Sequence, residues 1–492
     1  MIRSLTVAAV CAAWLIAGIG HLAAQQPQER LKAAVDALGA AKVTSLRLTG
    51  SGAAFYVGQS PNPREPWPRV AVKNYDATID FGTPAMRIDI TRDRGAVPPR
   101  GGGQPFTGEQ RVVEYVNDET AWDVPVARAS GQPGAPAPQP QAATERILQV
   151  FLTPHGFLKA AVANYATSRS VPDGTEVSFS VPPGRRFVGI INARNEVERV
   201  RTWNSNPVLG DMVIEATYRD YQAVPGGLRF PMHIVQTQGG HPSLDLRFTA
   251  VVANAKADLT PPESVRDSAS PPLRVEIERV ADGVFWLTGG SHHSVAIEMR
   301  DHVIVVEAPL NEPRSEVVLA AVKQVIPQKP VRFVVNTHPH FDHAGGLRTL
   351  VAEGATVVTH EMNRPFFETA WSASRTLGPD RLALAGGKAT FQGFGDKHVL
   401  TDGSRVVEVH RIAGSPHHDG FAMVYLPAEK LLIEGDAFTP AAAGAPAPPS
   451  SPTVINLYDN IRRLKLDVAR IVPLHGARVA ALDELVKAVG RK

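Results

Sequence analysis

Residues 331–346 read VRFVVNTHPHFDHAGG, with His338, His340, Asp342 and His343 inside six positions of one another. Imidazole and carboxylate are the ligands a borderline cation such as Zn²⁺ accepts when no thiolate is offered. Alternate histidines on a loop can turn two rings toward one point, while Asp342 and His343 turn toward a second. A catalytic cation also needs an open position for water. Four side chains cannot complete two such centres, so further ligands must come from elsewhere. The sequence offers them downstream, each after a β-branched run: His417 and His418 in VVEVHRIAGSPHHDGFAMVYLP, Asp436 at the end of KLLIEGDAF, and His475 in ARIVPLHGAR.

THPHFDH, a later loop histidine, GD and then LHG, in that order, resemble the metallo-β-lactamase superfamily of αββα metallohydrolases over about residues 275–492. The resemblance implies one metal held by His338, His340 and His417, and a second held by Asp342, His343 and His475, with Asp436 bridging them. It implies two Zn²⁺, or other divalent cations in their place. Asp342 would also be the catalytic residue that orients the attacking water or carries its proton to the leaving group. Two departures stand out. The family usually has His-Thr where this chain has His417-His418; the spacing to the following DG and to FAMVYLP favours His417, with His418 as the alternative. Glu307 in VIVVEAP stands where the family often has an aspartate supporting the metals. His292 and His293 in GGSHHS could be substrate contacts or hydrogen-bonded loop residues and stay outside the core set, and His360 reads as structural.

The elements that would position these residues fall into two patterns. From 275 onward, strand-like runs (VIVVEAP, VRFVVNT, ATVVTH) alternate with helical ones (RSEVVLAAVKQV, LVKAVGRK), which predicts an α/β domain with a covered sheet. Residues 40–260 instead alternate apolar and polar positions in many short runs, as in AMRIDITR and DMVIEATYRDY, the mark of antiparallel strands with one wet face. A curved, half-barrel-like β domain is expected over 25–260, with helices at Glu29–Leu38 and Thr144–Ala166. The Pro/Gly-rich stretches 97–105 and 131–141 read as mobile loops without chemistry. A third, LTPPESVRDSASPPLR, marks a linker at 261–274 before the hydrolase-like domain at 275–492.

The first 24 residues carry Arg3, an apolar run from Leu5 to Ile19 and small residues up to Ala24, which reads as a secretory signal peptide and predicts a periplasmic or secreted protein. The one cysteine, Cys11, falls in this leader, so a mature chain would have neither disulfides nor thiolate ligands. No integral span is expected in that mature chain. A net charge of +3 without a clustered basic patch sets nucleic acid aside as a partner.

These features predict an exported dinuclear zinc hydrolase that uses a metal-activated hydroxide on an ester, thioester, lactone, amide or phosphoester of a small molecule. An aspartate bridge resembles glyoxalase II and lactonases more than true β-lactamases, and export makes a glutathione thioester a less natural substrate. Two alternatives are a mononuclear iron persulfide dioxygenase, against which the full second ligand set argues, and an envelope ligand-binding protein led by the amino-terminal half, whose partner the sequence leaves unidentified.

Overall fold

The computed structural model describes residues 28–95, 100–103, 108–127, 130–268, 272–442, 444–445 and 450–490. The expected leader, with Cys11, lies outside them. Among the described residues no helix is long and apolar enough to cross a membrane.

Period-two burial builds the first half. In strand Gly210–Val224 the buried positions alternate from Gly210 to Tyr218, so one face packs and the other stays partly wet. Thirteen strands form one antiparallel sheet in which two runs of consecutive hairpins meet where Ser45–Phe55 pairs with His241–Ala253. Residues from both ends of this sheet, Val116 and Ala121 at one and Val177 and Phe187 at the other, share a core with helices 28–38, Ala143–Phe151 and Pro154–Ala163. The sheet therefore curls around the helices.

One expected helix is two. Thr144–Ala166 breaks at Leu152 because Thr153 caps a new helix, its Oγ1 accepting from Gly156 N at 3.1 Å, with Pro154 at the first turn. The Tyr218 hydroxyl donates to the freed Leu152 carbonyl at 2.5 Å. The stretch 131–141 is also more ordered than expected: Ala137–Pro138 pairs with Trp122 and Asp123, and Pro140–Ala142 turns into the helix.

His155 sits fully buried on the second of these helices, ring-stacked on Phe230 at 5.7 Å. Its Nε2 faces the Leu38 carbonyl at 3.0 Å, which can only accept, so Nε2 carries the proton and Nδ1 is left without a partner. Burial pushes its pKa down to about 4, the Leu38 carbonyl opposing and Lys159 adding to the shift. The folded state thus binds fewer protons than an unfolded chain whose histidine titrates near 6.5. Its contribution is complete above that value and is lost as pH falls toward 4, about 3 kcal/mol in all. In urea unfolding, the stability of the parent relative to His155→Phe is expected to shrink between pH 6.5 and 4; a constant difference would refute the assignment.

In the second half, alternate residues of each strand serve two cores. Val303 and Val305 face helices Glu312–Val325 and Leu347–Ala352, while Ile304 and Val306 face the opposite sheet. The seven-stranded sheet from Ile277–Ala281 to Phe391–Phe394 stacks on a six-stranded one from Lys397–Thr401 to Ala480–Ala481. Helices Pro452–Leu464 and Leu482–Val489 close the far side. The result is the four-layer αββα arrangement, preceded by a β-rich region.

Among the described residues the halves meet at several places, two of which bear on the site. Arg375 donates to the carbonyls of Asn206, Pro207 and Val208, and Val208 enters the helix-side core of the second half. The loop between strands Ser45–Phe55 and Arg69–Asp80 reaches the other contact, on top of the histidine cluster.

Candidate metal centre

Strands Val303–Val306 and Val331–Val335 run parallel, as do Leu431–Glu434 and Arg470–Pro473. Their carboxyl ends deliver Glu307, the 336–343 segment, Asp436 and His475 to one edge of the sandwich. His417 arrives on the loop after Val406–Arg411. All seven residues singled out in the sequence meet there.

Hydrogen bonds behind the rings fix which nitrogen faces inward. Glu307 accepts at Oε1 from Asn336 Nδ2 (3.0 Å) and Thr337 N (3.1 Å), and at Oε2 from Thr337 Oγ1 (2.5 Å) and His343 Nδ1 (3.0 Å). Thr337 Oγ1, having given its proton to Glu307, accepts from His338 Nδ1 at 2.9 Å. His340 Nε2 faces the Ser60 carbonyl at 2.8 Å and so must donate. The inward lone pairs are then His338 Nε2, His340 Nδ1 and His343 Nε2. Glu307 thus occupies the place behind the rings despite its extra methylene, and a left-handed backbone (φ 68°) accommodates it.

The inward nitrogens crowd together. His338 Nε2 lies 2.9 Å from His340 Nδ1 and 3.1 Å from His417 Nε2, and His343 Nε2 lies 3.0 Å from His475 Nε2. Ligands about 2.0–2.1 Å from a tetrahedral Zn²⁺ stand roughly 3.3 Å apart, close to these separations. Asp436 Oδ2 is 3.0 Å from His417 Nε2, while its Oδ1 is 2.8 Å from His343 Nε2 and 3.1 Å from His475 Nε2. That buried Oδ1 makes no hydrogen bond of acceptable geometry. A carboxylate oxygen orphaned among imidazole lone pairs suits a divalent cation, and the residues fit one.

Among the described residues three groups of ligand atoms lie close enough to hold an ion: Glu307, His338 and His343, whose facing atoms are already joined through Thr337 and His343 Nδ1, and the two inward sets His338, His340, His417 and Asp436, and His292, Asp342, His343 and His475. His292 was left outside the core set; its Nε2 is 3.2 Å from Asp342 Oδ2, and Ser291 Oγ lies 2.8 Å from its Nδ1. His293 is different: its Nε2 donates to the Gly476 carbonyl at 2.7 Å and its ring meets Trp286 edge-on. His418 turns away, with Nδ1 accepting from Gly420 N at 3.0 Å. His360 likewise accepts a backbone amide, from Met362 at 3.2 Å.

Electrostatics show what the cluster lacks. Burial, reinforced by His343, His340 and His417, holds His338 well below its ordinary range, and burial takes His340 down to about 3. Burial would lower His343 too, but Asp436, Asp342 and Glu307 overcome it and raise it well above its ordinary range, the mark of negative charge gathered around an inward nitrogen. Burial would raise Asp342 and Asp436, yet the neighbouring imidazoles keep both ionised. The carboxylates therefore demand positive charge at this spot, a demand that a cation would meet.

A family model for the metallo-beta-lactamase superfamily matches residues 287–475. These residues form a metallo-beta-lactamase superfamily domain. A metallo-beta-lactamase from Pontibacter korlensis shares 18% identity, covering 44% of this chain and 98% of its own, at a TM-score of 0.33. One from Hirschia baltica shares 19%, covering 44% and 97%, at the same TM-score. The alpha subunit of 2,4-dinitroanisole O-demethylase from Nocardioides sp. (strain JS1661) is 25% identical over 170 residues, 34% of this chain. The match spans 44% of that relative, under half its length.

The metallo-beta-lactamase domain does not enclose its site alone. A cavity of about 1050 Å³ reaches Asp342 and Ser291 between the halves, with Gln141, Glu145 and Pro207 of the first half facing Arg314 and Phe341 of the second. Nor is the 97–105 stretch without a role. Its described residues 100–103 lie on the cluster: Gly101 N donates to the Pro416 carbonyl and Gly102 N to the Gln59 carbonyl, both at 2.9 Å. A Cβ on Gly102 would overlap the Gln59 side chain and approach His340 Cε1 to 3.0 Å. Glycine serves there for close backbone approach.

Proposed function

We propose that this chain is an exported dinuclear zinc hydrolase whose domain boundary lies in the 261–274 linker. The observation that carries this reading is Asp436, with Oδ2 against His417 and Oδ1 against His343 and His475, one carboxylate turned to both ligand clusters. Ions held there would supply Lewis acidity and a water acidic enough to attack near neutral pH.

The chain's own residues supply the rest. Asp342 commits Oδ1 to the Gln59 amide at 2.8 Å and keeps Oδ2 toward the site, where it can take the proton of the attacking water and deliver it to the leaving group. His292, beside that oxygen, can donate its Nε2 proton to Asp342 and hold the carboxylate in place. The 1050 Å³ cavity suits a small molecule, with the apolar Leu273 and Phe341 among polar groups to orient it. Esters, thioesters, lactones, amides and phosphoesters are the bonds to test. The likeness to an O-demethylase subunit adds aryl methyl ethers.

Elemental analysis of protein purified without chelator tests the reading first. Two zinc per chain, with turnover on one of these bond classes that chelation abolishes and zinc restores, is the expected result. One iron per chain would transfer the reading to a persulfide dioxygenase.

A further inference from the structure

The loop between strands Ser45–Phe55 and Arg69–Asp80 is too specifically engaged to be a passive cover. Its Ser60 lies 280 residues from His340, yet contacts on two flanks seat the loop there. The Gly58 carbonyl accepts from Phe341 N at 3.3 Å, and a Cβ on Gly58, whose φ is 76°, would overlap the Phe341 ring. Trp67 meets that ring edge-on at 6.2 Å. On the other flank Asp419 N donates to the Pro61 carbonyl at 2.8 Å, and Asp419 accepts from Asn62 at 2.8 Å and Arg100 at 3.1 Å.

Between these anchors stand two residues that touch the inner groups. Gln59 Nε2 donates to Asp342 Oδ1 at 2.8 Å, and the Ser60 carbonyl accepts from His340 Nε2 at 2.8 Å. The first contact occupies Asp342 Oδ1 and leaves Oδ2 to face His292 and the site. The second fixes the His340 tautomer, so that Nδ1 presents its lone pair. Partners that orient ligands in this way typically change metal affinity 10–100-fold when lost.

We propose that Gln59 and Ser60 of the amino-terminal half are positioning residues of the metal centre, so that the metallo-beta-lactamase domain is completed by a loop from outside it. This rests on the reading of His340 and Asp342 as metal ligands. The two residues belong to different ligand sets, so the loop couples both centres to the β-rich half.

Full-length Gln59→Met and Gly58→Ala test it. Methionine keeps the length and packing of glutamine without the donor. Metal-free protein is titrated with Co²⁺ against a chromophoric chelator while the visible spectrum is followed. For Gln59→Met the expected result is one binding event weakened about 10-fold or more, a changed Co²⁺ spectrum and unchanged thermal unfolding of the metal-free protein. Gly58→Ala lifts the loop and is expected to weaken both events. If Gln59→Met binds two ions with parental affinity and spectrum, the positioning role is overturned and the ligand reading stands. If the parent itself takes up no metal, the ligand reading fails and the proposal falls with it.

Discussion

Replacing Glu307 by glutamine is expected to weaken both halves of the candidate metal centre, although the change removes none of the inward ligands and adds no bulk. Four donors converge on this carboxylate: Asn336 Nδ2 and Thr337 N at one oxygen, Thr337 Oγ1 and His343 Nδ1 at the other. A glutamine can keep the first pair only by turning its amide N–H groups toward the second. His343 Nδ1 must then accept, which moves its proton to Nε2, into the site. The Thr337 hydroxyl must likewise accept from the amide and turn its proton to His338 Nδ1, with the same result for the second ring. The reverse amide orientation leaves two buried donors unpaired, at about 1–3 kcal/mol each. Because His338 and His343 stand in different ligand sets, each set is expected to lose roughly 10–100-fold in affinity. Elemental analysis and Co²⁺ titration measure this directly. Two tightly held ions in Glu307→Gln would mean that the tautomers are not set from behind.

Asp436→Ala should have the larger effect on turnover. It removes the one group turned toward both sets and leaves Asp342 as the carboxylate among the inward ligand atoms. Two divalent cations repel each other four times as strongly as two unit charges at the same distance, so a site deprived of half its negative charge is expected to retain one. Metal content should fall from two per chain to one, with kcat reduced on the order of 10²–10³, the span for deleting one electrostatic stabiliser. Two ions per chain together with parental turnover would overturn the bridging role.

Much of this centre was legible because its residues are local in sequence or sit at the ends of β-branched runs. His338, His340, Asp342 and His343 share one six-residue stretch, and His417, Asp436 and His475 each follow a strand that the pattern marks. His292 was harder: GGSHHS gives no periodicity to separate the histidine that enters the site from His293, which reaches the Gly476 carbonyl. Gln59 and Ser60 left no signal at all. They lie in a polar loop whose neighbours in space are set by the curl of a thirteen-stranded sheet. Gly102 was misread for a related reason. Composition marks glycine as permissive, and only the His340 ring above it shows why that permissiveness is used. In the β-rich half, alternation found the strands but not the break at Leu152, because the Thr153 cap and Pro154 interrupt a run that stays apolar on both sides.

The pairing of Ser45–Phe55 with His241–Ala253 also sets an order of events. These partners are some 200 residues apart, and among the described residues this pair is what joins the sheet's two runs of hairpins. Each run can form from neighbouring strands as the chain emerges, whereas the seam must wait until residue 253 exists and must overcome the entropy of closing so long a loop. Until then strand Ser45–Phe55, which carries the 56–68 loop, has one bare edge open to pairing with another chain. The 56–68 loop, carried on that strand, is therefore expected to settle over the histidine cluster only after the seam has closed, and a chain stalled before that point is expected to be the form most exposed to aggregation.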